Sequence, residues 1–213
     1  MQIFRPQDGF AFALGEIGVH DLTEFLDSLP RIRIIYNAPP NPEAVSFWHK
    51  YEKVSYSYDE FWKALTTIYK AIKPDEFYVE VDSIKNRVLD FFHKWKQYPF
   101  VEYRDLIYSA PLNGRTNGMA KRRKVTGVVI ASKWKANTNF SYTYSHEFLN
   151  GVLNQKREYK VLFDPCIGKG LALRAALKYG YQCYGIEFSK DRLSCTLEYL
   201  ERNHGANIIP KSS

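Results

Sequence analysis

The stretch Val161-Leu162-Phe163-Asp164-Pro165-Cys166-Ile167-Gly168-Lys169-Gly170 constrains this chain more than any other. An apolar run that reads as a buried strand enters a Gly-x-Gly turn, and residues 171–179 follow as a helix. A second strand then ends on an acid, Glu187. Glycines at such a turn let the backbone approach a ligand closely, and the acid can hold a ribose diol. The pattern is half of a nucleotide-cofactor site, and its position says as much as its content. It begins at Val161 in a sequence of 213 residues, and the residues after it cannot build the rest of a sheet. The remaining strands must come from upstream, so the order of elements is permuted.

Commoner glycine-turn chemistries fit poorly. A P-loop needs Ser or Thr after its Lys, whereas Lys169 precedes Gly170. The dinucleotide fingerprint wants a third small residue where Leu173 stands. A tight turn without a ligand is the plain alternative. Against it stands the combination of Asp164-Pro165, the glycine pair and Glu187 one strand later.

A chain of 213 residues with 45% hydrophobic content can bury a core as one domain, 1–213. It divides into a half of about residues 1–135 and a cofactor-binding half of about residues 140–213. No run of about 18 apolar residues exists to span a membrane. The N-terminus, Met1-Gln2-Ile3-Phe4-Arg5-Pro6, lacks the pattern of a signal peptide. Cys166, Cys183 and Cys195 are odd in number and lack CxxC spacing, which favours reduced thiols in a cytoplasmic protein. The histidines show no metal-ligand spacing, so no metal site is expected. A net charge of +7 suits a polyanionic partner.

Strand and helix patterns alternate. Candidate strands are residues 10–15, 32–36, 76–81, 103–110, 125–131, 160–164 and 182–187. Candidate helices cover about 21–29, 58–71, 83–98, 146–153, 171–179 and 190–202, the first capped by Asp21. Asn37-Ala38-Pro39-Pro40-Asn41-Pro42 reads as a rigid loop after a strand. The strands at 103–110 and 125–131 plausibly pair antiparallel across a Gly- and Arg-rich loop. The alternation argues for an α/β sheet covered on both faces.

With both loops in view, the chain resembles the S-adenosylmethionine-dependent amino-methyltransferases that modify adenine N6 or cytosine N4 in DNA. The order is like the permuted one, in which the catalytic loop precedes the cofactor loop. Asp21-Leu22-Thr23-Glu24-Phe25-Leu26-Asp27-Ser28-Leu29-Pro30 leads to Ile32-Arg33-Ile34-Ile35-Tyr36 and then Asn37-Ala38-Pro39-Pro40. That resembles the family's Asp-Ala-Leu stretch, its strand, and its Asp/Asn/Ser-Pro-Pro-aromatic loop. Ala71-Ile72-Lys73-Pro74-Asp75 is similar to the family's Leu-Lys-Pro turn. Asp164 to Gly170 resembles its Asp-Pro-Phe-x-Gly-x-Gly loop, and Gly185-Ile186-Glu187 its Gly-Ile-Glu strand end.

The resemblance implies a Rossmann-like methyltransferase fold. Its sheet is mostly parallel and seven-stranded with one antiparallel hairpin. S-adenosylmethionine would contact Asp164, Pro165, Cys166, Gly168, Gly170, Glu187 and Phe188, with Thr143 and Ser145 in a further cofactor motif. The implied catalytic loop is Asn37, Ala38, Pro39 and Pro40, and two alignments compete there. In the first, Asn37 takes the acid's place and the Ala38 carbonyl assists. In the second, the prolines are matched and Ala38 takes that place. The first is preferred because Asn37 directly follows the expected strand. Phe47, Trp48 or Tyr51 could supply the missing stacking face.

Arg115, Lys121, Arg122, Arg123 and Lys124 lie in the loop between the paired strands, where they could contact phosphates. The expected function is methyl transfer to a base amino group in nucleic acid, DNA first. One alternative is a catalytically inactive protein of this fold that binds nucleic acid or a protein partner. Another is a methyltransferase acting on RNA or protein. The loop is short for target recognition, so DNA would be read with little sequence discrimination or through a partner; a homodimer or a protein partner is the expected association.

Overall fold

The computed structural model describes residues 1–51, 56–106, 126–135 and 145–204. Its elements, in order, are β1 (Gln2–Gln7), β2 (Phe10–Leu14), α1 (Thr23–Asp27), β3 (Ile34–Asn37), α2 (Pro42–Tyr51), α3 (Tyr58–Ile72), β4 (Glu76–Val81) and α4 (Lys85–Trp95). There follow β5 (Phe100–Leu106), β6 (Thr126–Ser132), α5 (Ser145–Leu153), β7 (Val161–Asp164), α6 (Leu171–Tyr179), β8 (Gln182–Glu187) and α7 (Lys190–His204). The strands form one sheet in the order β1-β2-β8-β7-β3-β4-β6-β5.

From β2 to β4 the neighbours run parallel. β6 runs antiparallel to both β4 and β5. The permutation closes as the element order requires: Phe10 to Leu14 pairs with Cys183 to Glu187. The Gly15 N–H extends that ladder by donating to the Glu187 carbonyl at 2.9 Å.

Buried side chains divide between the two faces. One face packs Phe25 of α1, Val45 of α2, Leu65 of α3 and Phe92 of α4 onto Ile35, Phe77, Val79 and Phe163. The other packs Leu149 of α5, Leu173 of α6 and Leu197 of α7 onto Ile34, Tyr36, Tyr78 and Leu162. The two sets alternate along each strand, as side chains on a pleated backbone must. Ser57 and Glu60 close a reciprocal capping box at the start of α3, and its apolar stripe of Phe61, Leu65 and Ile68 turns inward. Among the described residues no helix is long and apolar enough to cross a membrane.

The α/β architecture is the expected one, with four corrections. First, the sheet has eight strands, not seven, because β1 forms an antiparallel edge hairpin with β2. Pro6 and the half-exposed pattern hid it; an edge strand tolerates both. The β5–β6 hairpin is therefore not the only antiparallel part. Second, the segment read as a rigid loop turns helical at Pro42. The Asn41 side chain accepts from the Ala44 N–H at 2.8 Å, and proline suits the first helical position. Third, Asp21 accepts from the Thr23 N–H at 2.9 Å, but α1 starts after Leu22 and ends at Asp27. Fourth, Asn37 does not follow β3 but ends it, paired with Val79.

A buried ionic cluster pins the N-terminal ends of β3 and β4, at the sheet edge away from the glycine turn. Asp75 accepts from Arg33 at 2.9 Å and Lys133 at 2.6 Å, and Glu76 accepts from Arg157 at 2.9 Å. These partners come from distant parts of the chain, so local sequence patterns do not reveal them. The strand order reverses between β7 and β3, because their following helices leave in opposite directions. In open α/β sheets, ligands bind in the crevice beyond the strand ends at such a point.

Candidate cofactor and acceptor site

β7 delivers Asp164 to that crevice. The Cys166 N–H donates to Asp164 Oδ1 at 2.9 Å, folding the chain back into the turn. Gly168 and Gly170 have φ of +56° and +82°, which glycine adopts without strain. At Gly170 space is short as well, since a Cβ there would stand 3.0 Å from Thr196 Oγ1.

The acid at the end of β8 is tied to this turn. Glu187 accepts from the Gly168 N–H through Oε2 and from the Ser189 N–H through Oε1, both at 2.9 Å. A carboxylate oxygen has more than one lone-pair site, so both can still accept from a ligand hydroxyl. Burial raises the pKa of Glu187, while the Ser189 N–H, Arg192 and the Gly168 N–H pull the other way. Asp164 is pushed up to about 8, chiefly by burial. The Cys166 N–H opposes that shift, and the charges of Glu187 and Glu80 add to it. A ligand bringing a cation to Asp164 would stabilise its ionised form.

A cavity of about 250 Å³ opens here. Asp164 to Lys169, Glu187 and Phe188 line one side, and Gly15 and Ile17 another. Tyr36, Ala38 and Pro40 come from the end of β3, and Trp48 and Phe61 from α2 and α3. The Trp48 and Phe188 ring centroids lie 4.7 Å apart. The Arg192 guanidinium sits 5.0 Å from the Trp48 ring and 5.1 Å from the Phe188 ring. Trp48 thus borders the cavity, whereas Phe47 is exposed. The Tyr51 side chain lies outside what the structure describes.

The expected cofactor residues Asp164, Pro165, Cys166, Gly168, Glu187 and Phe188 come together around this cavity, with Gly170 at the adjoining helix start. Ser145 begins α5. Thr143 falls outside the described residues, as do Arg115, Lys121, Arg122, Arg123 and Lys124. Ala38 and Pro40 reach the cavity, and Pro39 lies between them.

Asn37 is not among the residues lining this cavity. It is fully buried, and its Nδ2 donates to the Tyr69 hydroxyl of α3 at 2.6 Å. The strand's alternation puts Tyr36 and Ala38 on one face and Asn37 on the other, where Tyr69 covers it. Sequence reading missed Tyr36, Arg192 and the residues after β2. The Asn41-Pro42 start signal was the clue that α2 would bring Trp48 to the site.

No family model matches the chain, and no curated protein matches it in sequence. Solved structures do match. M1.HpyAVI in complex with SAM aligns at a TM-score of 0.59 and 12% identity, over 90% of this chain and 98% of that one. TTHA0409 of Thermus thermophilus, complexed with S-adenosyl-L-methionine, aligns at 0.61 and 11%, over 95% and 98%. The cytosine-N4-specific PvuII DNA methyltransferase aligns at 0.60 and 13%, over 92% and 87%. The fold of this chain is therefore the Rossmann-like methyltransferase fold that these proteins share.

Proposed function

We propose that the chain binds S-adenosylmethionine in this cavity and transfers its methyl group to an exocyclic amino group of a DNA base, adenine N6 or cytosine N4. The observation that carries the reading is the Glu187 carboxylate, fixed by the turn's own Gly168 N–H at the mouth of the crevice. The residues present fit the cofactor. Glu187 would take the ribose hydroxyls, Phe188 an adenine face, and Asp164 the ammonium of the amino-acid end. The bound cofactor supplies an electrophilic methyl on a sulfonium.

The chain's own part is positioning. The Ala38 carbonyl accepts from the target amino group, Pro39 and Pro40 stiffen the loop, and Trp48 offers an aromatic face to an extruded base. DNA as substrate is supported by the likeness to the PvuII DNA methyltransferase and by the net charge of +7. The residues Arg115, Lys121, Arg122, Arg123 and Lys124 would hold phosphates, and a second copy or a protein partner would add sequence reading.

One observation favours a second reading. The Asn37 amide is buried against Tyr69, and the residue at the strand exit, Ala38, has no polar side chain. A protein that binds the cofactor without transferring its methyl would have that appearance. The test is transfer of a labelled methyl to mixed-sequence DNA, single- and double-stranded, with RNA and protein alongside. Label at adenine N6 or cytosine N4 supports the main reading. Cofactor binding without transfer to any acceptor supports the second.

A further inference from the structure

A target amino group held at the Ala38 carbonyl needs another hydrogen-bond acceptor to fix the direction of its lone pair. The Asn37 amide nitrogen is committed to Tyr69 and the residue does not line the cavity, so the neighbouring strand is the place for a further acceptor. β3 and β4 run parallel, with Tyr36 beside Tyr78 and Asn37 beside Val79. Continued one residue past the end of β3, the same register would set Glu80 beside Ala38. Side chains on paired strands alternate together, so Glu80 shares its face with Tyr78 and Tyr36. Val128, which pairs with Glu80 from β6, lies on that face too.

Asp164, the strand-end acid of the cofactor turn, is close enough for the Glu80 charge to act on it. The other acid at the end of β4, Asp82, holds the Asn41 amide at 2.9 Å and so anchors the start of α2. Glu80 is thus a half-buried carboxylate near Asp164, next to but not among the residues that line the cavity.

We propose that Glu80 accepts a hydrogen bond from the amino group of the target base, supplying the side-chain oxygen that Ala38 lacks. The proposal rests on the methyl-transfer reading. In the step, the nitrogen lone pair forms the N–CH3 bond. The S–CH3 bond breaks with its electron pair left on sulfur, giving a thioether. The surplus N–H proton passes to the Glu80 carboxylate and from there to water. Glu80 also discriminates: its oxygens attract an amino group and repel a carbonyl at the same place on the base.

The test uses the full chain and its Glu80→Gln and Glu80→Asp variants, each checked for unchanged melting. Two readouts are taken. The first is labelled methyl transfer to mixed-sequence DNA. The second is binding, with S-adenosylhomocysteine present, of single-stranded DNA containing adenine and cytosine against DNA with hypoxanthine and uracil in their places. Glu80→Gln should slow transfer about 30- to 100-fold, because an amide oxygen accepts more weakly than a carboxylate and cannot take the surplus proton, with cofactor affinity unchanged. The wild type should prefer the amino-bearing DNA about tenfold or more, and Glu80→Gln should lose that preference. Glu80→Asp should keep part of it. Wild-type transfer that survives Glu80→Gln overturns the proposal and leaves the methyl-transfer reading standing. A wild type that binds cofactor but transfers nothing defeats that reading instead. The base preference then decides for Glu80 alone: its absence in the wild type, or its survival in Glu80→Gln, overturns the assignment.

Discussion

Cofactor binding should be coupled to a proton on Asp164. In the free protein this carboxyl titrates at about 8, mainly because it is buried. At pH 6 it is therefore neutral. The cofactor's amino group has a pKa of about 8, so at pH 6 it is a cation. A pair between them requires Asp164 to ionise, and binding at pH 6 should release about one proton per site. Well below the titration point each pH unit weakens binding about tenfold; with both groups half ionised at pH 8, affinity at pH 6 should be about 25-fold below its maximum. The maximum falls near pH 8. Above it the ligand loses its own charge, and binding takes up a proton instead. Calorimetric titration with S-adenosylhomocysteine in two buffers of different ionisation enthalpy reads the proton count directly. Asp164→Asn should abolish the acid limb and the release. The free protein's stability follows the same linkage. The carboxyl's pKa is raised on folding, so stability is full below the ordinary aspartate value and falls as pH rises towards about 8. Asp164→Asn should raise the melting temperature at pH 8 and leave it little changed at pH 4. Affinity that is flat from pH 6 to 8, with no proton exchanged, would refute the reasoning.

Asn37→Ala removes the partner of the buried Tyr69 hydroxyl and should cost about 1–3 kcal/mol of stability, with cofactor affinity within about twofold. A 100-fold loss of transfer at unchanged stability would instead return Asn37 to the acceptor's role. Replacing Lys121, Arg122, Arg123 and Lys124 with Ala should weaken DNA binding and flatten its dependence on salt by about 0.9 in logarithmic slope for each phosphate no longer neutralised. If a salt series leaves affinity and slope as they were, the run is only a solvated loop.

The strand, glycine turn, helix and second strand from β7 to β8 were legible because their signals are local. The apolar strand, the glycine turn and the acid one strand later fall within a single stretch, from Val161 to Glu187. The pairing of Phe10 to Leu14 with β8 was legible too, since the missing strand had to come from upstream. Features set by register were harder. Whether Asn37 leaves the sheet or ends it depends on one residue of pairing with β4, and that residue decides which face its amide takes. The same register, continued one residue, would set Glu80 beside Ala38, although Glu76, Tyr78 and Glu80 alternate visibly with Phe77, Val79 and Val81. β1 was hidden because an edge strand buries too little to show an apolar rhythm. The clustered prolines before α2 masked a helix start that Asn41 and Pro42 together encode.

The central claim is that the cavity between β7, β8 and β3 is built for S-adenosylmethionine. Titration of the wild type, Glu187→Ala and Gly168→Val with S-adenosylmethionine and S-adenosylhomocysteine at pH 8 tests it most directly. Both ligands should bind the wild type saturably. Glu187→Ala should lose about 2 kcal/mol or more, because a charged acceptor of hydroxyl bonds is removed. Gly168→Val should also weaken binding, because a β-branched residue is strained at its φ of +56°. Absence of binding to the wild type, or affinity that neither substitution changes, would contradict it.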